Sequence, residues 1–228
     1  MDPVTLKKLN AARNARKATV VVTNLADGRD RIVLEGESVE GELGVAVSKT
    51  FLTGKSNAIE VGGHEFFLNA HLPPPRIVVI GAVHISQALA VIAKTSGYAL
   101  EVIDPRTAFA TKERFAETDL YPEWPEDVLV DRPLDAYCAL VAVTHDPKID
   151  DYPLIAAIEA GCFYIGALGS RKTHAKRLVR LVEQGVPEEA LAAVHSPIGL
   201  DIGAASPQEI AVAIMAEIIK AFRTRGIG

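Results

Sequence analysis

The strongest constraint on the fold is the alternation of short apolar segments with helical ones after residue 75. Residues 76–80 read RIVVI, residues 84–96 have helical spacing, and a second apolar run follows at 99–103. A strand, a helix and a strand within so short a stretch form a βαβ unit, which makes the two strands parallel. A second such unit is predicted from a strand at 139–144, a helix at 152–160 and a strand at 163–167.

The remaining segments extend this pattern. We expect a helix at 171–184, a short helix from 187 and a brief strand near 192–195. The last helix has the clearest start, because Ser206 can cap it, Pro207 suits its first position and Glu209 completes a capping box. The fold class predicted is α/β, a doubly wound, mainly parallel, Rossmann-like sheet with helices on both faces.

A triple proline, residues 73–75, marks a domain boundary, because proline fits neither a helix interior nor a central strand. We predict a small β-containing domain at 1–74 and the Rossmann-like domain at 75–228. In the first, the Asp27-Gly28 pair separates apolar runs at 18–25 and 31–34, which indicates a hairpin, and residues 64–68 read as a third strand.

Composition excludes several classes of function. The net charge of −5 argues against a general affinity for nucleic acid or for an anionic membrane surface. Cys138 and Cys162 stand in apolar surroundings, which favours free thiols in a reducing compartment over a disulfide framework. No apolar run approaches the roughly 18 residues of a membrane span. We therefore expect a cytoplasmic protein.

The turn after the first strand of the large domain is the first candidate site. Of the dinucleotide fingerprint G-x-G-x-x-G it keeps Gly81 only, and Val83 stands where the second glycine lets a pyrophosphate approach. Asp104 lies 23 positions after Gly81, close to where an acid would bind a ribose hydroxyl. Arg106 could neutralise that acid or face a phosphate. A nucleotide turn and a turn that holds no nucleotide both stay open.

The turn after the strand at 139–144 places His145 beside Asp146, Asp150 and Asp151. These groups suit acid–base chemistry or a hard metal ion, but no further metal-ligand motif at familiar spacing accompanies them, so no metal site is predicted. The other interpretation is structural: Asp150 or Asp151 caps the next helix.

The turn at 166–170 is the most informative. Gly169 and Ser170 lead into a helix that begins Arg171-Lys172, and residues 171–180 hold five cations and no acid. Cations in a first helical turn oppose the helix dipole, so we predict an anion bound there by Gly169, Ser170, Arg171 and Lys172. The alternative is a solvated basic helix face, with Arg177 on the surface. The loop at 195–203 carries Asp201 and can close over a ligand.

Three segments are specific enough to compare with known families: residues 165–172 (IGALGSRK), 197–204 (PIGLDIGA) and 207–212 (PQEIAV). Together they resemble the C-terminal Rossmann domain of the XdhC/CoxI family, the xanthine dehydrogenase accessory proteins. The glycine-rich turn of the family ends in histidine, which Gly81, Ala82 and His84 match. The chain departs from the pattern at Val83 and lacks the G-S-x-P-R and G-G-C segments of the N-terminal part, of which residues 36–47 look like a remnant.

The resemblance implies a cytoplasmic, dimeric accessory protein that binds molybdenum cofactor. Such a protein protects the cofactor while a cysteine desulfurase supplies sulfur, and then delivers it to a xanthine dehydrogenase-type apoenzyme. The phosphate of the cofactor's pterin would suit the basic turn, and Gly81, His84, Asp104, His145 and Asp201 are expected to line the same cleft.

Two rival functions remain open. One is an NAD(P)-dependent oxidoreductase that uses the Gly81 turn and Asp104. The other is a non-catalytic, protein-binding relative with an empty cleft. The residues alone leave open whether the chain is an enzyme.

Overall fold

The computed structural model describes residues 2–225 in two compact units, one formed by residues 2–73 with Arg225 and the other by residues 74–224. The first unit is a four-stranded antiparallel sheet with two helices. Its elements are α1 (Pro3–Asn14), β1 (Thr19–Asn24), β2 (Asp30–Leu34), α2 (Gly41–Thr53), β3 (Asn57–Val61) and β4 (His64–His71), with the strands in the order β2-β1-β4-β3.

The predicted hairpin is confirmed, since Thr19 pairs with Leu34 and Thr23 with Asp30. Both helices of this unit and β3 were not predicted from the sequence. Helix α1 begins after Asp2, whose carboxylate accepts hydrogen bonds from the N–H groups of Val4 and Thr5. Most of residues 36–47, the stretch compared above with the G-G-C segment, belong to α2 and the turn before it.

The second unit is the predicted Rossmann-like sheet. Its elements are β5 (Arg76–Ile80), α3 (His84–Thr95), β6 (Ala99–Ile103), β7 (Asp119–Tyr121), α4 (Pro125–Asp131), β8 (Cys138–Ala142), α5 (Pro147–Glu159), β9 (Tyr164–Ala167), α6 (Arg171–Glu183), a 3-10 helix (Glu188–Ala193), β10 (Val194–His195) and α7 (Pro207–Thr224). The strands are ordered β10-β9-β8-β5-β6-β7, and every neighbouring pair is parallel.

Helices cover both faces of this sheet, as the fold class predicted. Helices α3 and α7 pack together over one face, where Leu89 and Ile214 are fully buried. Helices α4 and α5 cover the other face around Leu140 and Leu154. The central strands of the sheet are thus buried on both faces, which is typical of a parallel sheet.

Helix α7 begins with the predicted capping box. Ser206 Oγ accepts from the Glu209 N–H at 3.2 Å, and Glu209 Oε2 accepts in return from the N–H groups of Ala205 and Ser206 at 2.8 and 2.9 Å. None of the helices within residues 2–225 is long and apolar enough to cross a membrane.

Candidate functional site

All nine predicted site residues lie at the carboxyl edge of the six-stranded sheet. They lie in the connections after five of its strands, either in the turn itself or in the first turn of the helix that follows. Strands β5 and β8 are neighbours whose following connections run to opposite sides of the sheet, so the switch point lies between their turns, where Rossmann-type sheets bind ligands. The turn after β5 holds Gly81 and leads to His84, and the turn after β8 holds His145.

The two turns at the switch point are packed closely against each other. Gly81 has a φ of +121°, and a Cβ atom there would come within 2.9 Å of Thr144 Cγ2. Val83 precedes α3 and packs, half-buried, against the apolar core. His84, the first residue of α3, is exposed.

Asp104 is fully buried, and its carboxylate is occupied by the protein itself. Its two oxygens accept hydrogen bonds from the Ala82 N–H at 2.7 Å and from the backbone and guanidinium of Arg106 at 2.8–2.9 Å. Burial raises the pKa of Asp104, but the hydrogen bonds from Arg106 and Ala82 outweigh it and hold the pKa below its ordinary value. Arg114 Nη1 donates to the carbonyl of Ala82, so this turn is tied on both sides.

The prediction that Asp150 or Asp151 caps the helix after β8 is wrong. Asp146 is the N-cap of α5, since its side chain accepts from the Lys148 N–H, and the helix begins at Pro147 rather than at 152. Asp150 is buried and accepts from Thr144 Oγ1 at 2.6 Å and from the His145 N–H at 3.0 Å. Burial raises its pKa to about 6.

The imidazole of His145 is exposed, at a left-handed φ of +66°. That conformation is uncommon outside glycine, and the hydrogen bond to Asp150 holds it in place. Within residues 2–225 no group of three or more His, Cys, Asp or Glu side chains is arranged to hold a metal ion.

The start of α6 is built as predicted, but its cations are not all on the surface. Ser170 is the N-cap and accepts from the Thr173 N–H, while Arg171 and Lys172 are exposed in the first turn. Arg177, expected at the surface, is only 2% exposed and donates from Nη2 to the Leu168 carbonyl at 2.9 Å.

Arg180, on the same helix, forms an ion pair with Asp151 at 2.8 Å. The basic stretch 171–180 is therefore not a continuous solvated face.

A cleft of about 430 Å³ brings two predicted residues together at this edge. Arg171 and Asp201 both line it, and Gly169 and Ser170 connect two of its lining residues. The lining consists of Leu168, Arg171, residues 197–204, Ile210 and Ala213. We call it the carboxyl-edge cleft. Its wall is mainly apolar, with a cation at one side and a carboxylate on the loop.

Glu217 of α7 supports the loop of this cleft and was not among the predicted residues. Its carboxylate accepts hydrogen bonds from Tyr164 Oη at 2.6 Å and from the Gly199 N–H at 2.7 Å, and lies 3.1 Å from His195 Nδ1. Burial raises the pKa of Glu217, but its hydrogen-bond partners outweigh that effect and lower the pKa. A single acid in the apolar run IMAEII was the signal that could have revealed it.

Other cavities lie away from the predicted residues. One of about 600 Å³ lies in the first unit between α1 and β2, and one of about 530 Å³ lies between α6 and the 3-10 helix. Neither is lined by a predicted site residue. We base the site on the smaller carboxyl-edge cleft, because it alone of these combines the ligand-binding edge of the sheet with the predicted groups.

Comparison with known proteins places the chain in a family. Residues 77–218 match the XdhC Rossmann domain. Over 155 residues the chain is 34% identical to a probable xanthine dehydrogenase subunit of Bacillus subtilis (strain 168), a match that covers 68% of this chain and 45% of that protein. Over 215 residues it is 26% identical to PaoD of Escherichia coli (strain K12), a molybdenum cofactor insertion chaperone, covering 94% of this chain and 58% of PaoD.

A third relative, the uncharacterized protein YqeB of E. coli K12, is 32% identical over 170 residues, or 70% of this chain and 29% of YqeB. The chain thus spans between 29% and 58% of the length of these relatives. A crystal structure of a xanthine dehydrogenase from Bacillus halodurans has the same fold, with a TM-score of 0.63 and 23% identity over 97% of this chain and 65% of that one. Because the domain match spans more than half of the chain, the protein belongs to the XdhC family.

Proposed function

We propose that this chain is an accessory protein that binds molybdenum cofactor in the carboxyl-edge cleft and delivers it to a molybdenum hydroxylase of the xanthine dehydrogenase type. The names of two relatives support the role, since one is a molybdenum cofactor insertion chaperone and the other is a probable subunit of xanthine dehydrogenase. The observation that carries the proposal is the cleft itself, which joins an apolar wall to the start of α6.

The residues of the cleft fit a phosphate-bearing pterin. The N–H groups of Arg171 and Lys172 have no partner inside the helix, because the first turn of a helix leaves them free, and the Arg171 side chain adds a full charge. The apolar side chains of Leu168, Ile198 and Leu200 offer a surface for a flat ring. Asp201, on the opposing loop, can accept hydrogen bonds from ring nitrogens.

In this account the chain holds the cofactor but does not itself transfer sulfur to it. Cys138 begins β8 and Cys162 precedes β9, so both lie at the amino ends of these strands, opposite the cleft. Burial raises the pKa of both thiols, which keeps them protonated and weakly nucleophilic. We therefore propose that a partner, a cysteine desulfurase by the family resemblance, supplies the sulfur. On the same resemblance, we propose that the protein is a homodimer and acts in the cytoplasm.

The geometry disfavours the rival NAD(P)-dependent oxidoreductase. The carboxylate that would bind a ribose hydroxyl is that of Asp104, and it is buried and already accepts from Ala82 and Arg106. Using it for a nucleotide would break the ion pair with Arg106 and leave charged groups unsatisfied. Because the strand order is that of a Rossmann-type sheet, a fold that binds dinucleotides, the experiment below also measures nucleotide binding.

One experiment separates the three functions. The purified chain is titrated with molybdenum cofactor and, separately, with NADH and NADPH, followed by calorimetry and absorbance. We expect saturable binding of the molybdenum cofactor and none of the nucleotides. Saturable nucleotide binding without cofactor binding would support the oxidoreductase, and binding of neither would support a protein-binding relative.

A further inference from the structure

The buried guanidinium of Arg177 has binding capacity that the fold does not use. The residue is only 2% exposed, and Nη2 donates to the Leu168 carbonyl. The other two nitrogens, Nε and Nη1, are buried and have no hydrogen-bond partner within residues 2–225. Buried charged donors left unpaired are costly, and Arg is the side chain least able to lose its charge. A group of this kind needs an explanation beyond packing.

The guanidinium lies directly beneath the turn that starts α6. Its one hydrogen bond is to Leu168, and a Cβ atom on Gly169 would lie 3.8 Å from Nη2. The same turn presents the free N–H groups at the start of the 13-residue helix α6, which attract anions. Two independent anion-binding features, a helix N-terminus and a buried guanidinium, thus both lie close to Gly169.

The acids near Arg177 do not satisfy its free donors. Asp150 accepts from Thr144 Oγ1 and the His145 N–H, and Asp151 pairs with Arg180. No ion pair within 4 Å joins Arg177 to either acid in the part of the chain that the structure describes. Burial lowers the pKa of Arg177, and the charges of Asp150 and Asp151 oppose that effect from a distance. Arg177 therefore keeps one hydrogen bond to a neutral carbonyl.

We propose that Arg177 is the buried counter-charge of a phosphate site at the start of α6, and that a bound phosphate group supplies the acceptors that its Nε and Nη1 donors lack. The planar fork of Arg and the converging helix N–H groups suit a tetrahedral oxyanion with several acceptor oxygens better than a carboxylate. Gly169, at a φ of +145°, brings the turn close to the guanidinium without a Cβ atom 3.8 Å from Nη2. The inference rests on the proposed function only for the molecule that carries the phosphate.

The test uses inorganic phosphate as the probe on the full chain. We expect saturable phosphate binding by calorimetry that weakens about tenfold or more in Arg177→Met and Arg177→Lys, since lysine keeps the charge but loses the fork. The matched control Lys176→Met removes an exposed cation of the same helix and should stay within about twofold of the parent. The Nε–H resonance of Arg177, followed by NMR, should shift on phosphate addition, which a merely structural role would not produce.

Equal phosphate affinity in the parent and both Arg177 variants would overturn the inference, as would phosphate binding without a shift of the Arg177 Nε–H signal. The inference would also be overturned if phosphate did not bind and the affinity for molybdenum cofactor were the same in the parent and in the Arg177 variants. If Arg177→Met does not fold, Arg177→Lys decides. Phosphate binding through Arg177 without any binding of molybdenum cofactor would refute the proposed function alone, so the two can fail separately.

Discussion

Replacing Glu217 by Ala should cost the second unit about 2–6 kcal/mol of stability. The Glu217 carboxylate accepts hydrogen bonds from the hydroxyl of Tyr164, which is 1% exposed, and from the N–H of the half-buried Gly199. Each buried donor left without an acceptor costs about 1–3 kcal/mol, and two are orphaned here. Because a domain is typically stable by about 5–15 kcal/mol, the loss would be a large fraction of the total. The loop of the carboxyl-edge cleft would also lose its anchor.

Urea unfolding measures this cost, with the fluorescence of the single tryptophan, Trp124, as a reporter within the second unit. Glu217→Gln keeps an acceptor oxygen at nearly the same place and should cost about 1 kcal/mol, the size of one ordinary hydrogen bond. In a Tyr164→Phe background the hydroxyl is already gone, so Glu217→Ala should cost about 1–3 kcal/mol less than in the parent. A cost of Glu217→Ala below about 1 kcal/mol, or strict additivity in this cycle, would refute the reasoning.

Two further predictions concern the switch point. Gly81→Ala should destabilise the chain by about 1–3 kcal/mol more than Gly97→Ala, since both have positive φ but only the first would clash with Thr144; equal losses in urea unfolding would contradict this. The pKa of Asp150 is raised from 3.8 to about 6, so its protonated form is favoured in the folded state and its contribution to stability is lost as pH rises through that window, by roughly 3 kcal/mol. Asp150→Asn should gain about 2 kcal/mol of stability on the parent between pH 4 and pH 7, and a difference that is flat with pH would count against it.

The parts of the fold that were predictable depend on local signals. The capping box at Ser206 and Glu209 lies within four residues, and strands β5 and β8 are continuous apolar runs, so the sequence alone indicates them. Helix α1 has few apolar residues, of which only Leu9 and Ala12 are buried, and its amphipathic pattern is weak. A helix of that kind owes its stability to tertiary packing, which a local pattern does not reveal.

The side chains of the site depend on contacts between elements distant in sequence. Asp146 and Asp150 are both plausible caps by position, and only the packing of α5 against the sheet buries Asp150. Likewise, whether Arg177 faces solvent or the turn beneath Leu168 depends on how α6 docks on its neighbours. Glu217 meets Tyr164, 53 positions earlier, through the fold alone. The sequence therefore predicts which edge of the sheet holds the site, but it does not predict which groups pair with the charged side chains at that edge.

The central claim is that molybdenum cofactor binds in the carboxyl-edge cleft. The most direct test is to measure the dissociation constant of the cofactor for the Arg171→Ala variant and compare it with that for the Lys176→Ala variant. Arg171 lines the cleft, and losing a charged hydrogen bond to the cofactor should weaken binding by about 1.5–3 kcal/mol, or roughly 10- to 150-fold. Lys176 is an exposed cation outside the cleft lining, so its variant should bind as the parent does. Unchanged affinity in Arg171→Ala, or an equal loss in both variants, would contradict the account.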